Sequence, residues 1–292
     1  MMDDTTVHPG LRERMFPLIW LLLYPVRLYL RWFPIQRGKG IFLRHIIMPL
    51  LPRASVEFDL PVPPGNVRVG LRYRETLGLS SLLNGTFELA ELNFVSHYLR
   101  PGDKAMDIGA NVGIFSVVMG ASVGAHGAVF AFEPVASNVL RLEKNLHKNS
   151  LGNVSVFSVA LGAADGQMRM HMATDPAYPS FGEVQGGFGS GTEELIQVRS
   201  LDGVWEELGC PNIALVKIDV EGSELDVMCG ATGFLTTCSP TLLIEANSEK
   251  ELDSLKEQLC GLGYRHIRPE GFAPMNHIFI YPSSMGKSQL PV

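Results

Sequence analysis

Between Ala105 and Glu133 the chain spells out a strand, a glycine turn, a helix and a second strand without interruption. Ala105, Met106 and Ile108 form a short apolar run that meets glycines at Gly109 and Gly113. Ile114 to Ala121 is apolar over helical length, and Ala128 to Phe132 is a second apolar run that ends on Glu133. This order predicts the first half of a nucleotide-binding βαβ unit. The glycines let the backbone turn sharply and lie close to a ligand, where a Cβ would collide. A carboxylate at the position of Glu133 can accept hydrogen bonds from both hydroxyls of a ribose.

Two ligand classes use such a unit, and the turn separates them. A dinucleotide site takes G-x-G-x-x-G, so that a pyrophosphate rests on bare backbone at the helix N-terminus. Here Asn111 stands at the second glycine, and Asp107 lies just before the turn. A carboxylate there repels a pyrophosphate and suits a cationic ligand without phosphate. S-adenosylmethionine, with its α-ammonium and sulfonium, is such a ligand. The expectation is a methyl-donor site. An NAD-linked oxidoreductase and a purely structural turn remain as alternatives, and the latter leaves the two acids at strand ends unexplained.

The 292 residues are 46% hydrophobic and 18% charged, which describes a globular chain with a sizeable core. Its net charge of −6 is unevenly spread. Residues 1–56 carry eight Lys and Arg against three Asp and Glu, a net of +5; the rest carries 16 against 27, a net of −11. The acidic body excludes nucleic acid as the expected partner. Within the basic part, Met15 to Val26 is uncharged and apolar, with Arg12 and Arg14 before it and Arg27 and Arg31 after it. Twelve residues fall short of the roughly 20 a membrane span needs, and no small-x-small cleavage site follows. Trp20, Tyr24, Tyr29 and Trp32 point to a peripheral contact of residues 15–35 with a membrane, on its cytoplasmic face. A helix packed on the domain is the alternative. Cys210, Cys229, Cys238 and Cys260 show no C-x-x-C spacing and sit in or beside apolar segments, so they read as buried thiols in a reducing compartment.

Around the central unit, Ser55–Leu60 and Val67–Tyr73 read as a hairpin across Pro63-Pro64-Gly65-Asn66, and a helix follows Thr86-Phe87-Glu88. Val135–Asn149 is an amphipathic helix with Val139, Leu142 and Leu146 on one face. Strands are expected at 154–159, 196–199, 213–220, 241–246, 264–267 and 278–281, with helices opening at Leu201, Ser223 and Lys250. This alternation predicts an α/β fold with a parallel-rich sheet and helices on both faces. Residues 173–194 break the pattern with Pro176, Pro179 and five glycines from Gly182 to Gly191. A substrate lid and a disordered insertion both fit. The expected organisation is an extension over 1–55, a domain over 56–282 and a tail over 283–292.

A second acidic group follows at Lys217-Ile-Asp219-Val-Glu221-Gly222. In an extended strand Lys217, Asp219 and Glu221 share one face. Asp107, Glu133, Asp219 and Glu245 all fall at strand carboxyl ends, where open α/β sheets bind ligands. Asp219, Glu245 and Asn247 could instead hold a divalent cation. His97 reads as a core or surface residue rather than a base.

Together, Asp107-Ile-Gly-Ala-Asn-Val-Gly, Phe132-Glu-Pro, Val159-Ala-Leu-Gly162, Leu201-Asp202, Lys217-Ile-Asp-Val-Glu-Gly-Ser-Glu224 and the preceding Gly85-Thr-Phe-Glu88 resemble the FkbM family of S-adenosylmethionine-dependent methyltransferases. The resemblance runs from about Val56 to Tyr281. It implies a class I, Rossmann-like fold with a seven-stranded, mostly parallel sheet. It also implies O-methylation of a hydroxyl on a sugar, glycan chain or polyketide-type natural product. By position, Asp107, Gly109, Asn111, Gly113, Glu133 and Ala160 would hold the cofactor. Asp219, Glu221 and Lys217 would lie beside the methyl group and the acceptor, with Asp219 the first choice of base and Glu221 the second. For Glu221 the competing role is that of an acid satisfying backbone N–H groups at a helix N-terminus. A methyltransferase fold that has lost its chemistry and serves as a binding module is the remaining alternative.

Overall fold

The computed structural model describes residues 57–72, 75–84, 86–171 and 193–282. The expectations for residues 15–35, the glycine-rich segment 182–191 and the tail lie outside the described residues. Two compact units divide the chain. The described part of the first is residues 57–60, 70–72, 75–84 and 86–87; that of the second is 61–69, 88–171 and 193–282. Strands β1 (Glu57–Val62) and β2 (Val67–Arg72) pair as the expected hairpin, and helix α1 (Thr76–Asn84) follows.

Helix α2 (Leu89–Tyr98) precedes β3 (Lys104–Ile108), α3 (Ile114–Val123), β4 (Ala128–Phe132), α4 (Ala136–Lys148) and β5 (Val154–Phe157). A three-stranded sheet comes next, from β6 (Ala160–Gly162), β7 (Gly166–His171) and β8 (Glu193–Ser200) in the order β6-β8-β7. The chain continues through α5 (Leu201–Glu207), β9 (Leu215–Ile218), α6 (Glu224–Cys229), α7 (Thr232–Cys238), β10 (Thr241–Glu245), α8 (Glu249–Gly261), β11 (Arg265–Ile267) and β12 (Asn276–Ile280). The large sheet has seven strands in the order β11-β12-β10-β9-β3-β4-β5. Only the pairings of β12 with β10 and β11 are antiparallel. This is the expected α/β class I methyltransferase fold.

Burial explains the sequence patterns. Every residue of β9 is buried, as is all of β3 after Lys104, because helices cover both faces of the sheet. Helix α3 is apolar nearly all round and buries eight of its ten residues, as a central helix must. Helix α4 keeps Leu142 and Leu146 on its inward face, as the pattern predicts, but that face is more polar than expected. Asn138 and Asn145 are buried beside Leu142 and Leu146, whereas Val139 is half-buried. The cysteine expectation is overturned: Cys210, Cys229 and Cys260 are exposed free thiols, and only Cys238 is partly covered. Apolar neighbours in sequence did not imply burial at those positions. His97 is at the surface, its Nδ1 2.7 Å from the Asn93 carbonyl. No helix among the described residues is long and apolar enough to cross a membrane.

Where the edge strand β11 pairs with β12, His266 Nε2 and His277 Nδ1 lie 3.1 Å apart. Burial holds both rings below the ordinary histidine range, His277 to about 4, and each of the two rings also feels Lys256 and Arg268. Because the folded state disfavours the charged ring, its contribution to stability is complete above the unfolded value of 6.5 and is lost as pH falls towards 4. Urea unfolding of His277→Gln against wild type across this range should show the difference between them closing as the pH is lowered.

Candidate functional site

The order of the sheet reverses at β3, which has β4 on one side and β9 on the other. Ligands of open α/β sheets bind at such a switch point, beyond the strand carboxyl ends. A cleft opens there. Ile108, Gly109 and Asn111 line it from the first turn, Phe132 and Glu133 from the second strand, Ala160 from β6, and Asp219 and Glu221 from the end of β9.

The first turn is built by its own backbone and by α4. The N–H groups of Gly109 and Ala110 both donate to the Phe132 carbonyl, and Asn145 Nδ2 donates to the Val112 carbonyl at 2.8 Å. Gly109, Asn111 and Gly113 all have positive φ, at 80°, 50° and 87°. At Gly109 the requirement is also steric, since a Cβ would sit 1.7 Å from the Asp219 carbonyl oxygen. The tips of β3 and β9 touch at that glycine. Gly109→Ala should therefore lower stability by about 3 kcal/mol or more, read by urea unfolding.

Glu133 is 5% exposed and ties the two turns together. Its Oε2 accepts from the Asn111 N–H at 2.8 Å, and its Oε1 accepts from the Val135 N–H at 2.9 Å and more distantly from Asn138 Nδ2. Burial pushes its carboxyl up, and these donors pull it back. Asn138 also lines the cleft, a residue that sequence reasoning missed. Its signal was a polar residue on the buried face of an otherwise amphipathic helix.

Asp107 does not line the cleft. It is fully buried, and its Oδ2 accepts from Ser116 Oγ at 2.5 Å. Across the β3–β9 ladder its register partner is Lys217, so the cation that offsets it is supplied by the protein. Lys217 is 5% exposed, donates to Asp219 Oδ2 at 2.7 Å and lies 4.9 Å from the centre of the Phe115 ring. Burial alone would push this ammonium down; Asp219, Asp107 and Glu88 outweigh it and hold it above the ordinary range. Lys217 and Asp219 share a face as expected, but β9 ends at Ile218. Glu221 leaves the strand in a left-handed turn with Gly222, at φ 54° and 100°.

Two further carboxyls join this group. Glu88, the residue before α2, has left-handed backbone (φ 37°), and its side chain makes no cap hydrogen bond to the helix. Burial holds its carboxyl up at about 7 despite the pull of Lys217. Glu245 is raised to about 8 by burial and then by Asp219. In the sequence Glu88 reads only as part of a motif, because nothing local to it announces a partner near residue 217. Glu221 does not serve its turn's backbone; Glu224 accepts there instead, from the N–H groups of Val220 at 3.0 Å and Gly222 at 3.3 Å. Among the described residues no group of three or more His, Cys, Asp or Glu is placed to hold a metal ion.

Comparison with known proteins adds an independent finding. The AMB antimetabolite synthetase AmbE of Pseudomonas aeruginosa is 28% identical over 189 residues, which cover 52% of this chain but 9% of that protein. The methyltransferase FkbM of Methylobacillus flagellatus is similar in structure, with a TM-score of 0.44 and 19% identity over 70% of this chain and 52% of that one. An S-adenosylmethionine-dependent O-methyltransferase of Thermotoga maritima gives a TM-score of 0.41 and 14% identity, covering 76% of each chain. The methyltransferase FkbM domain profile matches residues 107–266, more than half of the chain and the whole of the site apart from Glu88. With that match, the chain belongs to the FkbM family of S-adenosylmethionine-dependent methyltransferases.

Proposed function

We propose that this methyltransferase acts on a hydroxyl group, carried by a sugar, a glycan chain or a polyketide-type natural product. The observation that carries this reading is the position of Asp219. It lines the donor cleft and also belongs to the carboxyl group gathered around Lys217. When bound, S-adenosylmethionine supplies an electrophilic methyl group. The residues present suit it: Glu133 keeps acceptor capacity on each oxygen for ribose hydroxyls. Phe132, Val159 and Met170 supply apolar wall for an adenine, and Glu221 offers a carboxyl to the α-ammonium. Asp219 then orients the acceptor oxygen and takes its proton, a role in keeping with alignment as the main source of catalysis.

Calorimetry with S-adenosylmethionine, S-adenosylhomocysteine and NAD tests the donor. Binding of the first two and not the third is expected, and NAD binding alone would overturn the reading. Transfer of labelled methyl into sugar, lipid-linked glycan and polyketide extracts tests the acceptor; label found only on nitrogen or carbon would refute O-methylation. Apart from this, the basic and aromatic residues 15–35 carry the proposal of a peripheral membrane contact. Flotation with anionic liposomes should retain the full chain and lose a variant beginning at Val56.

A further inference from the structure

We infer that Glu224 and Glu251 share one proton, and that this shared proton positions the turn carrying Asp219 and Glu221 at the donor cleft. Glu224 is completely buried at the start of α6. Its Oε1 is committed to the turn, accepting from the Val220 and Gly222 N–H groups. Its Oε2 is buried, with no N–H or O–H donor among the described residues, and the group it meets is the Glu251 carboxyl. Glu251 is committed as well, since its Oε2 accepts from the Asn247 N–H at 2.8 Å in the loop after β10. Two acceptor-only carboxylates cannot bond to each other; a carboxylic acid and a carboxylate can. The proton between them joins the turn after β9 to the loop after β10.

The surroundings hold that proton in place. Helix α8 and strand β6 pack on α6; β6 has no titratable side chain, and of the charged residues of α8 (Glu249, Lys250, Glu251, Asp253, Lys256 and Glu257) it is Glu251 that acts on Glu224, while Asp226 on α6 itself is exposed. No cation is among the groups that act most on Glu224. Burial first, and then Glu251, push the Glu224 carboxyl up to about 8. The turn needs such support. Glu221 and Gly222 are consecutive left-handed residues, and the conformation costs a residue with a Cβ about 1–2 kcal/mol. Above the point where the proton leaves, two like charges, one of them fully buried, push α6 and α8 apart and the turn loses its anchor.

The inference rests on the donor reading only for its consequence, so its test has two arms. Glu224→Gln keeps an oxygen for the two N–H groups and gives Glu251 a permanent donor. Hydrogen exchange of the Val220 and Gly222 amides, corrected for intrinsic rates, should lose about tenfold in protection between about pH 7 and about pH 9 in wild type. It should stay level in Glu224→Gln and in Glu251→Gln. In the second arm, S-adenosylhomocysteine affinity, read by calorimetry, should fall over the same range in wild type relative to Glu224→Gln. Superposed exchange profiles in wild type and Glu224→Gln would overturn the shared proton, whatever happens to ligand binding. Loss of protection in folded Glu224→Gln at neutral pH would overturn it too. Failure of S-adenosylhomocysteine to bind at any pH, with the exchange result as expected, overturns the donor reading and leaves the shared proton standing.

Discussion

Asp219→Asn should lower methyl transfer by roughly 10²–10⁴-fold, the usual contribution of a positioned proton acceptor, while S-adenosylhomocysteine binding stays near wild type. The amide keeps the shape of the residue where it lines the cleft but cannot take the acceptor's proton. It also cannot pair charge with Lys217, whose ammonium would keep Asp107 and Glu88 as its remaining counter-charges. A stability measurement therefore belongs beside the kinetics. A variant that unfolds easily would mean the ion pair acts chiefly in folding, whereas a stable and inactive one assigns Asp219 to the chemistry. Exhaustive EDTA treatment of the wild type completes the test, because activity lost to EDTA and restored by Mg²⁺ would move the role of Asp219 from base to metal ligand. Full activity in Asp219→Asn would send the proton to Glu221 or Glu88. Glu88 merits equal scrutiny there, since a carboxyl held near neutrality by burial can both take and return a proton at working pH.

The parts of this site that were legible in the sequence are those that local chemistry determines. A run such as Ala105 to Ile108, followed by glycines at 109 and 113, admits few structures other than a buried strand entering a tight turn. Glu133 ends the next strand, so its place at the cleft follows from the unit itself. What stayed hidden depends on register between distant segments. Asp107 reads as a charge awaiting a cationic ligand until the β3–β9 ladder sets it opposite Lys217. Glu221 reads as the third residue of an alternating face until β9 ends at Ile218 and the backbone turns left-handed. Glu224 lies inside the motif that marks the family, yet its partner, Glu251, is on a helix beyond another strand. Patterns of period two or 3.6 place a side chain on a face; they do not say what lies opposite.

Glu133→Ala should weaken S-adenosylhomocysteine binding by more than a ribose contact alone would, because the carboxylate does two jobs. Each charged hydrogen bond it accepts from a ribose hydroxyl is worth about 1.5–3 kcal/mol. The same oxygens also hold the Asn111 and Val135 N–H groups, so their removal leaves two donors unsatisfied in the walls of the cleft. Glu133→Gln does not separate the jobs, since one end of the amide would turn a donor towards a donor. A thermodynamic cycle does. In wild type, S-adenosylhomocysteine should bind more tightly than its 2′-deoxy analogue, and in Glu133→Ala the two should bind alike and more weakly. The loss common to both ligands measures the turn, and the lost discrimination measures the ribose. If folded Glu133→Ala still distinguishes the analogue by the wild-type ratio, the ribose is held elsewhere and Glu133 is a residue of the turn alone. If it binds S-adenosylhomocysteine as wild type does, the cleft at β3 and β4 is not the donor site.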